Sequence, residues 1–281
     1  MGGKLTEQSF SYWMRTNLKD AFSGLIIQDV DFVFISKNSR WFLFIEEKNS
    51  EKARTGPAQK IIFQMFDDIL SDNIAGYRFL GTHIIKLTEE IPFKQLINEI
   101  TKSINNRKRH AVERETLEKL WDCKGESRVK KTEQERSFYR DSLISKILSK
   151  ENINTNAPKG IYIENINWIF LNYCTGYFVF LEESTCNKHL RDEKREFIKI
   201  IDEIFEKAST ENLKTKRAKN PKSGVVYSYL GYYHIQFSKT DPKNSSSIYI
   251  NQKRIKINDL ISVLNLDNKE IEKYKIDWKC L

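Results

Sequence analysis

The sequence predicts an α/β protein in which mixed sheets are flanked by helices and the basic unit is written twice. Three observations lead there. Shifted by 136 positions, residues 27–48 lie over 163–184 without a gap. Each of those tracts reads as two apolar strands joined by a polar turn, with an amphipathic helical stretch after them. The chain of 281 residues is 40% hydrophobic, enough for a sizeable core, and helices must cover the faces of sheets this apolar.

The repeat is specific in its residues. Ile27, Phe34, Phe42, Phe44, Glu46 and Glu47 meet Ile163, Phe170, Phe178, Phe180, Glu182 and Glu183. Phe32 meets Trp168, and Trp41 meets Tyr177. Thr6-Glu7-Gln8 recurs as Thr132-Glu133-Gln134, and IFQMFDDIL recurs loosely as IKIIDEIF. YRFLGTHII recurs as YSYLGYYHI, with Leu80, Gly81 and His83 meeting Leu230, Gly231 and His234. Four matches in one order predict a tandem duplication, with a first domain at 1–106, a charged linker at 107–129 and a second domain at 130–281.

Within each copy the expected order is the same. A first helix is capped by Thr6 or Thr132. Two strands follow, at about 26–35 and 40–48 in the first copy, joined by SKNSR; the second copy uses NYCTG, with Gly176 in the turn. A helix starts at Pro57, whose missing N–H costs nothing in a first turn, and carries the core stripe Ile61, Ile62, Met65, Phe66 and Ile69. A strand at 77–87 and a helix from about 93 complete the copy.

Composition narrows the function. The formal charge is +9 and the pI about 9.2, a balance that favours polyanions. The basic residues cluster at Arg107–His110, at Arg128–Lys131, and at Lys214, Lys216, Arg217, Lys219 and Lys222, the last set being the expected nucleic-acid contact. No apolar run is long enough to cross a membrane, and the N-terminus lacks an apolar secretory segment. The four cysteines are scattered without Cys-x-x-Cys spacing, which suits reduced thiols and a cytoplasmic location. Single histidines at His83 and His234 read as core residues, and the aromatics of Tyr227–Tyr233 as core at strand period. No glycine-rich phosphate loop or Ser-His-Asp signature is present.

The chemistry gathers at the end of WFLFIEEK, residues 41–48. Residues two apart on a strand share a face, so Glu46 and Lys48 point one way and Glu47 the other. Asp31, placed at the start of the preceding strand, comes beside Glu46 when the two strands pair. Two carboxylates and an ammonium then converge at a sheet edge, where hard divalent ions find oxygen ligands. A bound metal can activate water for attack on a phosphodiester.

Asp31 followed by Glu46-x-Lys48 at the end of an apolar strand, and then a helix, resembles the PD-(D/E)xK nuclease superfamily. The resemblance covers mainly residues 5–90. It implies a restriction-endonuclease-like fold and Mg²⁺-dependent hydrolysis, with Asp31 and Glu46 as metal ligands and Lys48 near the attacking water. Branches of the family add a first-helix glutamate, here Glu7 as a further metal ligand, or a glutamine on the helix after the motif, here Gln59. In the second copy Asn165 and Asn167 replace Asp29 and Asp31, and Ser184 replaces Lys48, while the apolar strand and Glu182 and Glu183 persist. That pattern suits a duplicate that keeps its fold and loses its chemistry. The expected function is a Mg²⁺-dependent endodeoxyribonuclease of restriction type, with DNA as partner. One intact site per chain then calls for a homodimer or two successive nicks. The alternatives are a resolvase or repair nuclease of the same superfamily, or a non-catalytic nucleic-acid-binding protein.

Overall fold

The computed structural model describes residues 9–70, 73–106, 142–150, 161–186, 190–239 and 242–276. In chain order these form α1 (Phe10–Asn17), β1 (Leu25–Ser36), β2 (Trp41–Lys48), α2 (Pro57–Ile69), β3 (Arg78–Lys86), α3 (Phe93–Asn106), α4 (Leu143–Lys150), β4 (Ile161–Asn172) and β5 (Tyr177–Thr185). Then come α5 (Asp192–Thr215), β6 (Ser228–Phe237), β7 (Ile248–Ile250), β8 (Lys253–Ile255) and α6 (Ile257–Leu264). The class is α/β: one mixed eight-stranded sheet, in the order β3-β2-β1-β4-β5-β6-β7-β8, flanked by helices. The expected linker at 107–129 and Thr132 lie outside the described residues.

Contacts divide the chain into two compact units. Unit 1 combines the described residues of 1–29, 57–70 and 166–281; unit 2 those of 30–56 and 71–165. In unit 2, β1 pairs antiparallel with β2, Phe32 opposite Ile45, and β2 pairs parallel with β3. Trp41, Leu43 and Ile45 enter one core with Phe32, Leu96 and Ile144. Phe42 and Phe44 face the other way and pack on Phe79, with ring centroids 5.1 and 5.8 Å apart. Cover on both faces is why β2 reads as an unbroken apolar run and not as an alternation.

In unit 1, β4 pairs antiparallel with β5, Trp168 opposite Leu181, and β5 pairs parallel with β6. Phe178 and Phe180 pack on Tyr229 at 5.2 and 5.1 Å. Phe180 also meets Phe205 at 4.7 Å and Phe66 of α2 at 5.8 Å. A second cluster joins Phe10, Trp13 and Met14 of α1 to Val179, Leu181 and Tyr233. Helix α1 starts later than expected. Ser9 is its cap, the hydroxyl accepting the Tyr12 N–H at 3.1 Å, while Thr6 lies outside the described residues.

Two irregularities recur. The β2–β3 register slips between Phe42 and Phe44, and the β5–β6 register between Phe178 and Phe180. Gly81 and Gly231 lie in these slips with φ of 103° and 128°, a conformation that side chains with a Cβ resist. Helices α2 and α5 also share a burial pattern. Gln59, Ile62, Phe63, Met65, Phe66 and Ile69 are buried in α2, and Lys194, Phe197, Ile198, Ile200, Ile201 and Ile204 in α5, at a constant spacing of 135.

The register corrects one expectation. His83 lies beside Ile45, but His234 lies beside Glu182, one residue further along its strand. The position matching His83 holds Tyr233. Both accordingly bond the carbonyl three residues back, His83 Nε2 to Leu80 O at 2.9 Å and the Tyr233 hydroxyl to Leu230 O at 2.7 Å. His83 Nδ1 meets Ser103 Oγ at 2.9 Å, so this buried ring is a satisfied core histidine. Tyr227, Tyr229, Tyr232 and Tyr233 are buried, as strand-period core aromatics should be. Cys174 and Cys186 are free thiols; Cys123 and Cys280 lie outside the described residues. No helix among the described residues is long and apolar enough to cross a membrane.

Candidate active site

The end of β2 in unit 2 brings together three of the residues singled out by the sequence. Asp31 is not at the start of its strand, since β1 begins at Leu25. It sits where the hairpin pairing ends, one step beyond Phe32 opposite Ile45. Its Oδ2 accepts the Glu47 N–H at 2.8 Å. Glu46 and Lys48 share a face, and Lys48 Nζ pairs with Glu46 Oε1 at 2.7 Å.

Glu46 is 5% exposed, and its second oxygen, Oε2, is buried with no hydrogen-bond partner among the described residues. A carboxylate oxygen left so costs about 1–3 kcal/mol. Beside a second carboxylate, that orphaned oxygen fits the ligand set of a hard divalent cation. Among the described residues no three His, Cys, Asp or Glu side chains form a metal-type cluster. Glu7, the expected third carboxylate, lies outside them. Gln59 is buried in α2 and belongs to unit 1, whereas Asp31, Glu46 and Lys48 belong to unit 2.

Glu47 has another task. It points to the opposite face and receives the Ser142 hydroxyl and the N–H groups of Leu143 and Ile144, the last two at 2.6 and 3.3 Å. A carboxylate at the start of α4 satisfies orphan donors and complements the helix dipole. Of the two adjacent glutamates, one anchors a helix and one faces the site.

Lys214, Lys216, Lys219 and Lys222 are exposed around the end of α5. Arg217 differs from these neighbours. Its Nε and Nη2 donate to the carbonyls of Asp68 and Ile69, both at 3.1 Å, and close the C-terminus of α2. Arg217→Ala is therefore expected to lower stability by about 1 kcal/mol. Alanine at Lys219 or Lys222 should leave it within about 0.5 kcal/mol. Urea unfolding of the three variants checks this.

The matching strand end in unit 1 is fully occupied. Glu182 Oε1 accepts the Asn167 amide at 2.8 Å, and Oε2 pairs with Lys194 Nζ at 3.2 Å and takes the Tyr232 hydroxyl at 3.4 Å. Ser184 Oγ lies 2.7 Å from His234 Nε2. The sequence reading missed Lys194, although a signal was there: it falls on the apolar face of α5, in step with Phe197 and Ile201. Glu183 faces away, and its Oε2 accepts the Trp168 Nε1–H at 2.9 Å. Burial lifts its carboxyl to about 7, with a further push from Glu182, while the Trp168 bond opposes the rise. A carboxyl raised in the folded state stabilises fully below the ordinary carboxylate range and loses that contribution as pH climbs through 7. Glu183→Gln is expected to flatten the fall in stability between about pH 5 and 7, which amounts to about 2 kcal/mol. Calorimetry across that window reads it.

Two proteins of the archaeon Archaeoglobus fulgidus resemble this chain. One is 44% identical over 149 residues, covering 52% of this chain and 94% of its own length. The other is 38% identical over 134 residues, covering 43% of this chain and 93% of its own. The chain belongs to their family. Both members are described only as uncharacterized proteins. No protein-family model matches the chain. No solved structure matches it either.

Proposed function

We propose that the protein is a Mg²⁺-dependent endodeoxyribonuclease of the PD-(D/E)xK type, with its site at the end of β2. The observation that carries this is Glu46: a carboxylate buried beside Asp31, with Lys48 on one oxygen and nothing among the described residues on the other. Asp31 and Glu46 would hold the ion. Bound there, it would supply Lewis acidity and a water of lowered pKa. Lys48 is held on the site's face by Glu46, where its charge can offset the negative charge that builds on a phosphodiester under attack. Asp31 keeps its direction through the Glu47 N–H, and Glu47 is fixed by α4, so the backbone under the site is braced from the opposite face. The exposed lysines of unit 1 offer a sequence-independent hold on a polyanion.

The duplication belongs to the same reading. The paired register slips at Gly81 and Gly231, the common burial pattern of α2 and α5, and the matching aromatic clusters support two copies of one unit, the first with the acidic pair and the second without it. A restriction-endonuclease-like fold is the form this reading gives each copy.

The experiment incubates supercoiled plasmid with the protein in Mg²⁺ and in EDTA, and repeats it with Asp31→Ala and Lys48→Ala. Nicking that needs Mg²⁺ and is lost in both variants is the expected result. Cutting unchanged in either variant would sink the site assignment. DNA retained in a gel shift without cutting would favour the non-catalytic binder.

A further inference from the structure

The two strand ends differ in how their charge is balanced. In unit 2, Lys48 Nζ pairs with Glu46 Oε1, and Glu46 Oε2 has no hydrogen-bond partner among the described residues. In unit 1, Asn167 is neutral and donates to Glu182, and the Lys194 ammonium cancels the charge that remains. Lys194 is 4% exposed and Glu182 9%. Buried charges are found paired, and here the ammonium and the carboxylate face each other at 3.2 Å. The burial pattern of the helices puts Lys194 at the α5 position that Gln59 holds in α2.

We infer that unit 1 contains a latent divalent-cation site, closed by the Lys194 ammonium, which stands on Glu182 where an ion would otherwise sit. The site's ligands would be the Glu182 carboxylate and the side chain at position 167, and its ligand class is a hard divalent cation. Asn167 and Lys194 exclude the ion together. The amide offers a donor to Glu182 where a ligand must offer an acceptor, and the ammonium supplies the positive charge internally. The strand end of unit 1 is then indifferent to metal, and of the two strand ends the one in unit 2 takes the ion. The inference borrows from the nuclease reading only the idea that Asp31 and Glu46 hold a divalent ion.

The test uses the full chain and Mn²⁺, with bound ion counted by electron paramagnetic resonance. Glu46→Gln removes the unit 2 site and is expected to bind no Mn²⁺. Adding Asn167→Asp and Lys194→Gln to it is expected to restore one bound Mn²⁺ per chain and a thermal midpoint that rises with Mn²⁺. A folded triple variant blind to Mn²⁺ overturns the inference. So does Mn²⁺ bound by Glu46→Gln alone, because the ion would then enter with Lys194 in place. Wild-type protein that binds no Mn²⁺ would count against the unit 2 site and leave this inference standing. If the triple variant does not fold, Glu46→Gln with Asn167→Asp and Lys194→Met, which keeps the length of the lysine stem without its ammonium, decides. Its midpoint should fall by about 10 °C in EDTA and recover in part with Mn²⁺. An unchanged midpoint, or a fall that Mn²⁺ does not relieve, overturns the proposal.

Discussion

Glu46→Gln is expected to reduce Mg²⁺-dependent plasmid nicking by about 10³-fold or more and, in EDTA, to raise the thermal midpoint. The two effects have one cause. Glu46 Oε2 is buried without a hydrogen-bond partner among the described residues, a condition that costs about 1–3 kcal/mol when no cation is there to relieve it. Glutamine keeps the shape and removes the charge. Lys48 loses its partner, but its side chain is 19% exposed and can turn toward water at small cost. A stabilised protein without activity is the signature of a residue kept for chemistry at the expense of the fold. Nicking rates in Mg²⁺ and calorimetry in EDTA read the two halves separately. A lowered midpoint with full activity would make Glu46 a structural residue and remove the central support for the nuclease reading.

Phe180→Ala is expected to destabilise unit 1 by about 3–5 kcal/mol. The ring is fully buried and lies among Phe205, Tyr229, Phe66 and Tyr232, at 4.7, 5.1, 5.8 and 5.8 Å. Four aromatic neighbours held by three elements have little freedom to collapse into the space left, so the cavity term adds to the lost transfer energy. Gln64→Ala, on the exposed side of α2 where Gln64 meets Asp68, should change stability by less than about 0.5 kcal/mol. Chemical unfolding of both variants makes the comparison. A loss under about 1 kcal/mol for Phe180→Ala would mean that this aromatic cluster does not hold the unit together.

Several elements were legible because a short-range rule governs them. Pro57 opens α2, and Gly176, at φ of 74°, turns β4 into β5. The apolar run of WFLFIEEK marked β2, and strand period put Glu46 and Lys48 on one face with Glu47 on the other. The hairpin of β7 and β8 escaped because its turn, Asn251-Gln252, carries two positive φ angles without the glycine that usually announces them. The false pairing of His83 with His234 arose because two histidines in similar apolar strands invite alignment. Only the ladder reveals that Leu181 faces Tyr233.

The site divides along the same line. By itself the sequence determined which residues alternate on each strand, where the charges end the apolar runs, and that Asp31, Glu46 and Lys48 could meet. These follow from a side-chain period of two and from one hairpin, both local properties of the chain. Only the tertiary structure decided that Glu47 belongs to the start of α4, that Arg217 belongs to the end of α2, and that Lys194 fills the place beside Glu182. Each of those partners comes from a distant segment, 95 positions away for Ser142, 149 for Asp68 and 12 for Lys194. Which buried charge finds a counter-charge depends on packing across that separation: the apolar face of α5 marks Lys194 as buried, but no pattern of neighbouring residues names Glu182 as its partner.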